Sequence, residues 1–154
     1  MMSLEVCAPV AGTVIALAQV PDPVFAGRVL GPGIALDPDR AAGRTAVAVA
    51  PLTGRVTKAH PHAFIVADAQ GREVLVHLGI DTVSLEGRGF TVHAVAGAFV
   101  RAGTPIITWS PSAVEAGGLS PIVPVLAMGG DEGALAPVPA GTALAAGDLL
   151  MTWS

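Results

Sequence analysis

Gly97-Ala98-Phe99-Val100-Arg101-Ala102-Gly103-Thr104-Pro105-Ile106-Ile107-Thr108-Trp109-Ser110 returns 44 residues later as the stretch from Gly141 to Ser154. Gly97/Gly141, Ala102/Ala146, Gly103/Gly147, Thr108/Thr152, Trp109/Trp153 and Ser110/Ser154 are identical. Each copy reads as a glycine turn, a short strand, an Ala-Gly turn and an apolar strand. A looser repeat joins Ala8-Pro9-Val10-Ala11-Gly12-Thr13-Val14 to Ala50-Pro51-Leu52-Thr53-Gly54-Arg55-Val56, 42 residues on. A Pro-x-x-Gly turn ahead of a Val-rich strand starts a hairpin. Duplicated β-units predict an all-β fold, an antiparallel β-sandwich or flattened barrel of internal hairpin repeats with at most short helical turns.

Composition agrees. The 154 residues suffice for one domain, taken as residues 1–154, with a substantial core. Hydrophobic residues make up 52%, which excludes a disordered chain. There are two Trp, four Phe and no Tyr, so the core must be mainly aliphatic. The 19 Gly and 13 Pro are spread along the chain, as many tight turns require. Net charge is −4, Lys58 is the single lysine, and no basic run exists, which argues against a nucleic-acid partner. Cys7 is alone, so no internal disulfide can form. No Lys or Arg precedes Arg28, unlike a secretory signal, and Pro and Gly break every apolar run. These features predict a cytoplasmic protein.

Along the chain, prolines at 21 and 23 predict a loop or short helical turn over Val20–Ala26. Gly31-Pro32-Gly33 predicts a turn, Ile34–Leu36 a strand, and Asp37-Pro38-Asp39 another turn. Thr45–Ala50 reads as a buried strand, and Phe90–Val95 as a strand with His93 on the surface. Ser112-Ala113-Val114-Glu115 has capping-box spacing, with Gly117 as a stop, for a helix of about one turn. Ile122–Ala127 reads as an edge strand because of Pro124, and Met128–Pro139 as a loop.

Three of the four histidines lie between residues 60 and 77. In Gly71-Arg72-Glu73-Val74-Leu75-Val76-His77-Leu78-Gly79-Ile80-Asp81-Thr82-Val83, the residues Val74, Val76 and Leu78 alternate with Glu73, Leu75 and His77. Glycines bracket this strand, so His77 falls near its end. In a preceding strand His62, Phe64 and Val66 alternate with Ala63, Ile65 and Ala67. Antiparallel pairing of the two would bring His62 beside His77. On the residues alone, structural histidines, a metal site and histidine-centred chemistry all stay open.

His62-Ala63-Phe64, Val76-His77-Leu78-Gly79-Ile80-Asp81-Thr82-Val83 and Gly87-Arg88-Gly89-Phe90 resemble the glucose-family EIIA domain of the bacterial sugar phosphotransferase system. Ala8-Pro9-Val10-Ala11-Gly12, Val20-Pro21-Asp22-Pro23-Val24-Phe25-Ala26 and Ala50-Pro51-Leu52-Thr53-Gly54 support the resemblance in the same order along nearly the whole chain. It implies a phosphocarrier. His77 would accept phosphate at Nε2 from HPr and pass it to the EIIB domain of a sugar transporter, with His62 donating toward the phosphoryl oxygens. The membrane would be met only through the transporter. The same resemblance implies that Asp22 and Asp81 meet basic residues of HPr. Val24, Phe25, Leu75 and Val83 would line an apolar depression for partners, and Gly79 would allow close backbone approach, with the amides after it forming part of an anion cradle. Phosphorylation of that surface would let it discriminate between partners, regulatory metabolic proteins among them.

No cofactor is required by this reading. Zinc at His62 and His77 would need a carboxylate from a partner. Phe25 has a competing reading as a core plug, and Asp81 as a cap of its own turn. One departure stands out: where family members often carry a Thr shortly before the first histidine, this chain has Lys58-Ala59-His60-Pro61. The alternative function is a zinc hydrolase of lysostaphin-type β fold, holding metal by His60/His62 and His77/Asp81, although the order of those two pairs is reversed. A lipoyl or biotin carrier would need a lysine at a hairpin tip, and Lys58 lacks the flanking pattern.

Overall fold

The computed structural model describes residues 2–40 and 44–154. In chain order the elements are β1 (Leu4–Cys7), β2 (Gly12–Ala16), α1 (Pro23–Ala26), β3 (Gly33–Pro38), β4 (Ala46–Val49), β5 (Gly54–His60) and β6 (Ala63–Ala67). They continue as β7 (Glu73–His77), β8 (Thr91–Val92), β9 (Phe99–Val100), β10 (Pro105–Trp109), α2 (Pro111–Ala116), β11 (Val123–Ala127), β12 (Leu135–Pro137), β13 (Ala143–Leu144) and β14 (Leu149–Trp153). All strand pairs are antiparallel. One sheet has eight strands in the order β13-β2-β3-β11-β7-β6-β5-β9. Two three-stranded sheets, β1-β14-β12 and β4-β10-β8, complete an open sandwich that does not close into a barrel.

The internal repeats explain this layout. Ala8 and Ala50 occupy matching places. Ala8 exchanges backbone hydrogen bonds with Asp148 and Gly147, and Ala50 with Thr104 and Gly103. Val14 likewise bonds Thr142 and Gly141, as Val56 bonds Ala98 and Gly97. The turn glycines 97 and 103 have φ of 95° and 90°, and their counterparts 141 and 147 have 91° and 95°. A side chain disfavours that left-handed backbone, so glycine recurs in both copies. The paired tryptophans, Trp109 and Trp153, are both buried.

The main core takes residues from all three sheets, among them Val6, Val14, Phe64, Val76, Ile107, Val125 and Met151. Strict alternation sends Phe64, Val66, Val74 and Val76 to this core, and Ala63, Ile65 and Leu75 to the opposite face of the large sheet. There the segment carrying Leu17, Val20 and Phe25 covers a second apolar cluster. His77 shares the face of Leu75, so its ring emerges at the rim of this smaller cluster.

Several elements depart from sequence expectation. β11 is central, between β3 and β7, and not an edge. Pro124 pairs with Ala35 but lies one place outside the β7 ladder, which begins at Val125↔Val76, so a residue without an N–H is tolerated. β3 runs through Asp37 and Pro38, where a turn was expected. β4 stops at Val49 and leaves Val47 exposed, because it pairs on one side only. The strand expected over Phe90–Val95 shrinks to Thr91–Val92, and His93 is exposed with Nε2 2.6 Å from Thr108 Oγ1. α2 is capped by Ser110, whose hydroxyl accepts from Ala113 N, and not by Ser112. Glu115, expected to close a capping box, instead pairs with Arg40 at 3.0 Å. Within the expected loop Met128–Pro139, a 3₁₀ turn and β12 form.

One ion pair ties the site-bearing hairpin to both chain ends. Arg72 Nη2 lies 2.7 Å from Asp68 Oδ2, and both side chains are about nine-tenths buried. Arg72 Nη1 donates to the carbonyls of Met2 and Trp153. Arg72→Ala would leave a buried carboxylate unpaired and is expected to cost roughly 3 kcal/mol. Urea unfolding of the variant measures this; a loss within a few tenths of a kcal/mol would deny the pair its structural role.

Candidate phosphoryl-transfer site

The hairpin β6–β7 sets Ala63 directly opposite His77, and the adjoining turn residue His62 accepts through its backbone carbonyl from Leu78 N at 2.7 Å. The His62 and His77 rings therefore meet, centroids 5.1 Å apart and edge to face at 70°. Phe25 from α1 also packs against His77, ring centroids 5.0 Å apart. His77 Nδ1 is 2.5 Å from the carbonyl oxygen of Gly79. An oxygen acceptor there requires the proton on Nδ1, which leaves the Nε2 lone pair free.

That carbonyl is aimed by a tightly wound turn. Gly79 has φ +82°, and a Cβ on it would come within 2.6 Å of Thr82 Cγ2 and 3.0 Å of the Ser120 carbonyl. Thr82 is fully buried and its hydroxyl donates to Leu78 O at 2.7 Å. Ile80 N donates to Ser120 O at 2.8 Å. The turn is thus fixed from both sides, and with it the orientation of His77.

Burial lowers the pKa of His77, against the raising effects of the Gly79 carbonyl, Asp22 and Asp81, and the net position is below an ordinary histidine. His62 is also lowered, by burial first and then by His77 and His60. Both shifts favour the neutral imidazole, which has one lone-pair nitrogen and one N–H.

Residues 4–132 match the family described as the phosphoenolpyruvate-dependent sugar phosphotransferase system, EIIA 1. The chain belongs to this EIIA family. It is 38% identical over 125 residues to the glucose-specific EIIA component of Oceanobacillus iheyensis, covering 80% of this chain and 73% of that protein. It is 43% identical over 129 residues to the glucose-specific EIICBA component of Streptococcus pneumoniae, covering 82% of this chain but only 17% of that much longer relative. The solved glucose permease IIA from Mycoplasma capricolum superposes with a TM-score of 0.87 at 34% identity, covering 99% of this chain and 96% of the other.

Within this EIIA fold, the remaining residues singled out in the sequence separate by exposure. Val24 and Val83 are exposed, at 42% and 63%, whereas Phe25 and Leu75 are buried. Of the four residues expected to line a depression, Phe25 and Leu75 are thus packed in the second apolar cluster, and Val24 and Val83 are open to solvent. Asp22 caps α1, its carboxylate accepting from Val24 N at 2.9 Å. Asp81 is exposed and left-handed at φ 60°, and its side chain makes no cap bond, contrary to the capping alternative. The first amide after Gly79, that of Ile80, is engaged by Ser120, so it is not a free anion donor. Thr82 and Ser120, which hold the turn, were not assigned roles from the sequence.

Among the described residues, no three His, Cys, Asp or Glu side chains converge as metal ligands. His60, His62, His77 and Asp81 therefore do not assemble the site of the zinc-hydrolase alternative. No helix among the described residues is long and apolar enough to cross a membrane.

The lowered His77 pKa has a kinetic consequence. Were His77 the acceptor, its neutral ring would be the reactive form, so acceptance would be favoured above the ordinary histidine pKa of about 6.5 and lost as pH falls through the lowered value. Transfer rates measured between about pH 5 and 8 should then fall toward acid with a midpoint below about 6.5. A midpoint above that ordinary value would contradict a His77 pKa lowered by partial burial.

Proposed function

We infer that this protein is a phosphocarrier: it takes a phosphoryl group from phospho-HPr onto Nε2 of His77 and passes it to the EIIB domain of a sugar transporter. The observation that carries this reading is the Gly79 carbonyl on Nδ1, which commits the lone pair of His77 to Nε2. In the forward step that lone pair forms a bond to phosphorus while the donor's P–N bond breaks, and the donor imidazole keeps the electron pair. The second step repeats this in the opposite sense toward EIIB. No external base is needed, because the attacking nitrogen is already unprotonated. Catalysis then rests on in-line positioning and on donors for the phosphoryl oxygens, with His62 in that role.

Family membership and the fused EIIBCA and EIICBA architectures of relatives support HPr and EIIB as the two partners. Asp22 and Asp81, whose charges both act on His77, suit a basic donor surface by speeding encounter. The unit working this way is residues 1–154, on the cytoplasmic side and meeting the membrane only through the transporter. Phosphate at this site adds about two negative charges beside exposed Val24 and Val83, so a regulatory partner that buries them with apolar groups would favour the unmodified form.

Among the described residues no three side chains group as metal ligands; His62 and His77 could supply two, and a partner carboxylate would have to add another. Nothing in the arrangement favours hydrolysis by metal. Incubation with phosphoenolpyruvate, enzyme I and HPr, followed by an EIIB domain, tests the function. Acid-labile phosphate that appears on this protein and then moves to EIIB is expected. Failure to accept phosphate from phospho-HPr would overturn the reading.

A further inference from the structure

The side chain of His62 makes no hydrogen bond among the described residues, unlike His77. Two rings bracket it instead: His77 edge-on, and His60 stacked at 5.9 Å with planes 24° apart. How His60 reaches that place follows from strand register. Val56 faces the main core. Simple alternation would then send Lys58 and His60 to the core face as well. The β5–β6 register instead shifts between Val56 and Lys58, so that Val56 pairs with Val66 but Lys58 pairs with Ile65. Beyond this bulge at Thr57 the faces exchange: Ala59 turns to the main core, and His60 to the site face. The Thr57 hydroxyl donates to Glu73 Oε2 at 3.0 Å, anchoring the bulged residue to β7. Bulges beside functional sites commonly re-aim one side chain in this way.

After the shift, His60, Ala63 and His77 lie in one row across three strands, through the pairs His60↔Ala63 and Ala63↔His77. Directly opposite residues are about 5 Å apart, so the two histidines flank a gap above the small Ala63 side chain. The His62 ring fills that gap.

We propose that His60 is a positioning residue, whose stacked ring fixes the plane in which His62 addresses the phosphoryl group on His77. This rests on the phosphocarrier reading, but its structural half does not. Stacking needs an aromatic ring and not a titrating one. His60→Phe should therefore keep the His62 orientation, and His60→Ala should release it.

The test compares phosphoryl transfer from phospho-HPr in the parent, His60→Ala and His60→Phe proteins, with imidazole NMR of His62 in each. His60→Ala should lower the maximal rate on the order of tenfold or more while leaving the KM for phospho-HPr near the parent value. His60→Phe should restore most of the rate. The His62 ring signals should shift and broaden in His60→Ala and return toward the parent in His60→Phe. A rate within twofold of the parent in His60→Ala, with His62 signals unmoved, would overturn the proposal. So would His60→Phe behaving as badly as His60→Ala, since a polar contact would then be at work. If the parent itself accepts no phosphate, the functional reading fails, and the NMR comparison alone still decides whether His60 holds His62.

Discussion

His77→Ala is expected to abolish phosphate acceptance altogether. The variant keeps Phe25, Gly79 and His62 but loses the one nitrogen whose lone pair is fixed outward by the Gly79 carbonyl. A methyl group offers no electron pair to phosphorus, so no weaker version of the reaction remains at that position. The ring is only partly buried, and the β6–β7 ladder that places residue 77 is made of backbone bonds. The variant should therefore fold, and its far-ultraviolet spectrum should match the parent. Radiolabel from phosphoenolpyruvate should reach HPr and stop there. Label on the folded variant at the parent's level would move the acceptor role to another side chain.

His62→Ala should give a different phenotype: acceptance survives but slows. His77 retains its tautomer through Gly79, so the nucleophile is intact, while the donor 5.1 Å away across the ring pair is gone. Loss of one preorganised donor to developing charge costs on the order of 3 kcal/mol, or about a hundredfold in rate. The phosphorylated product, once formed, should still map to His77. Rapid-quench measurement of transfer from phospho-HPr separates the cases. A rate unchanged within a factor of two would mean that His62 makes no contact with the phosphoryl oxygens in the transition state.

The contrast between these variants follows from features that were unevenly legible in the chain. The β6–β7 hairpin was readable because its alternation is strict and glycines mark its limits; pairing brings Ala63 opposite His77, and the meeting of the His62 and His77 rings depends further on His62 lying in the turn before β6. The duplicated glycine turns were readable for the same local reason. β11 was not, because a proline in a strand signals an edge unless its missing donor falls beyond the ladder, and that depends on where β7 ends. The start of α2 was misread from capping spacing at Ser112, although Pro111 at the first helical position points to Ser110 as the cap. The bulge at Thr57 left no trace, since Thr57 and Lys58 are both polar and a slip between them breaks no apolar pattern. Phe25 could be read as core plug or as docking surface. It is buried in the second apolar cluster and packs against His77, as a core plug would, a matter of tertiary contact that sequence spacing does not encode. That a backbone carbonyl would hold the second nitrogen of His77 follows from the tautomer, but that it is Gly79's, and that the Thr82 hydroxyl holds the turn, depends on the left-handed backbone at Gly79 and Asp81.

The most direct test of the account is to identify the atom that carries the phosphate. After phosphorylation by phosphoenolpyruvate, enzyme I and HPr, phosphorus and nitrogen NMR of the intact protein distinguish the two ring nitrogens of each histidine. With Nδ1 of His77 held by the Gly79 carbonyl, the phosphate is predicted on Nε2 of His77. A phosphate on Nδ1 of His77, or on His60, His62 or His93, would contradict it.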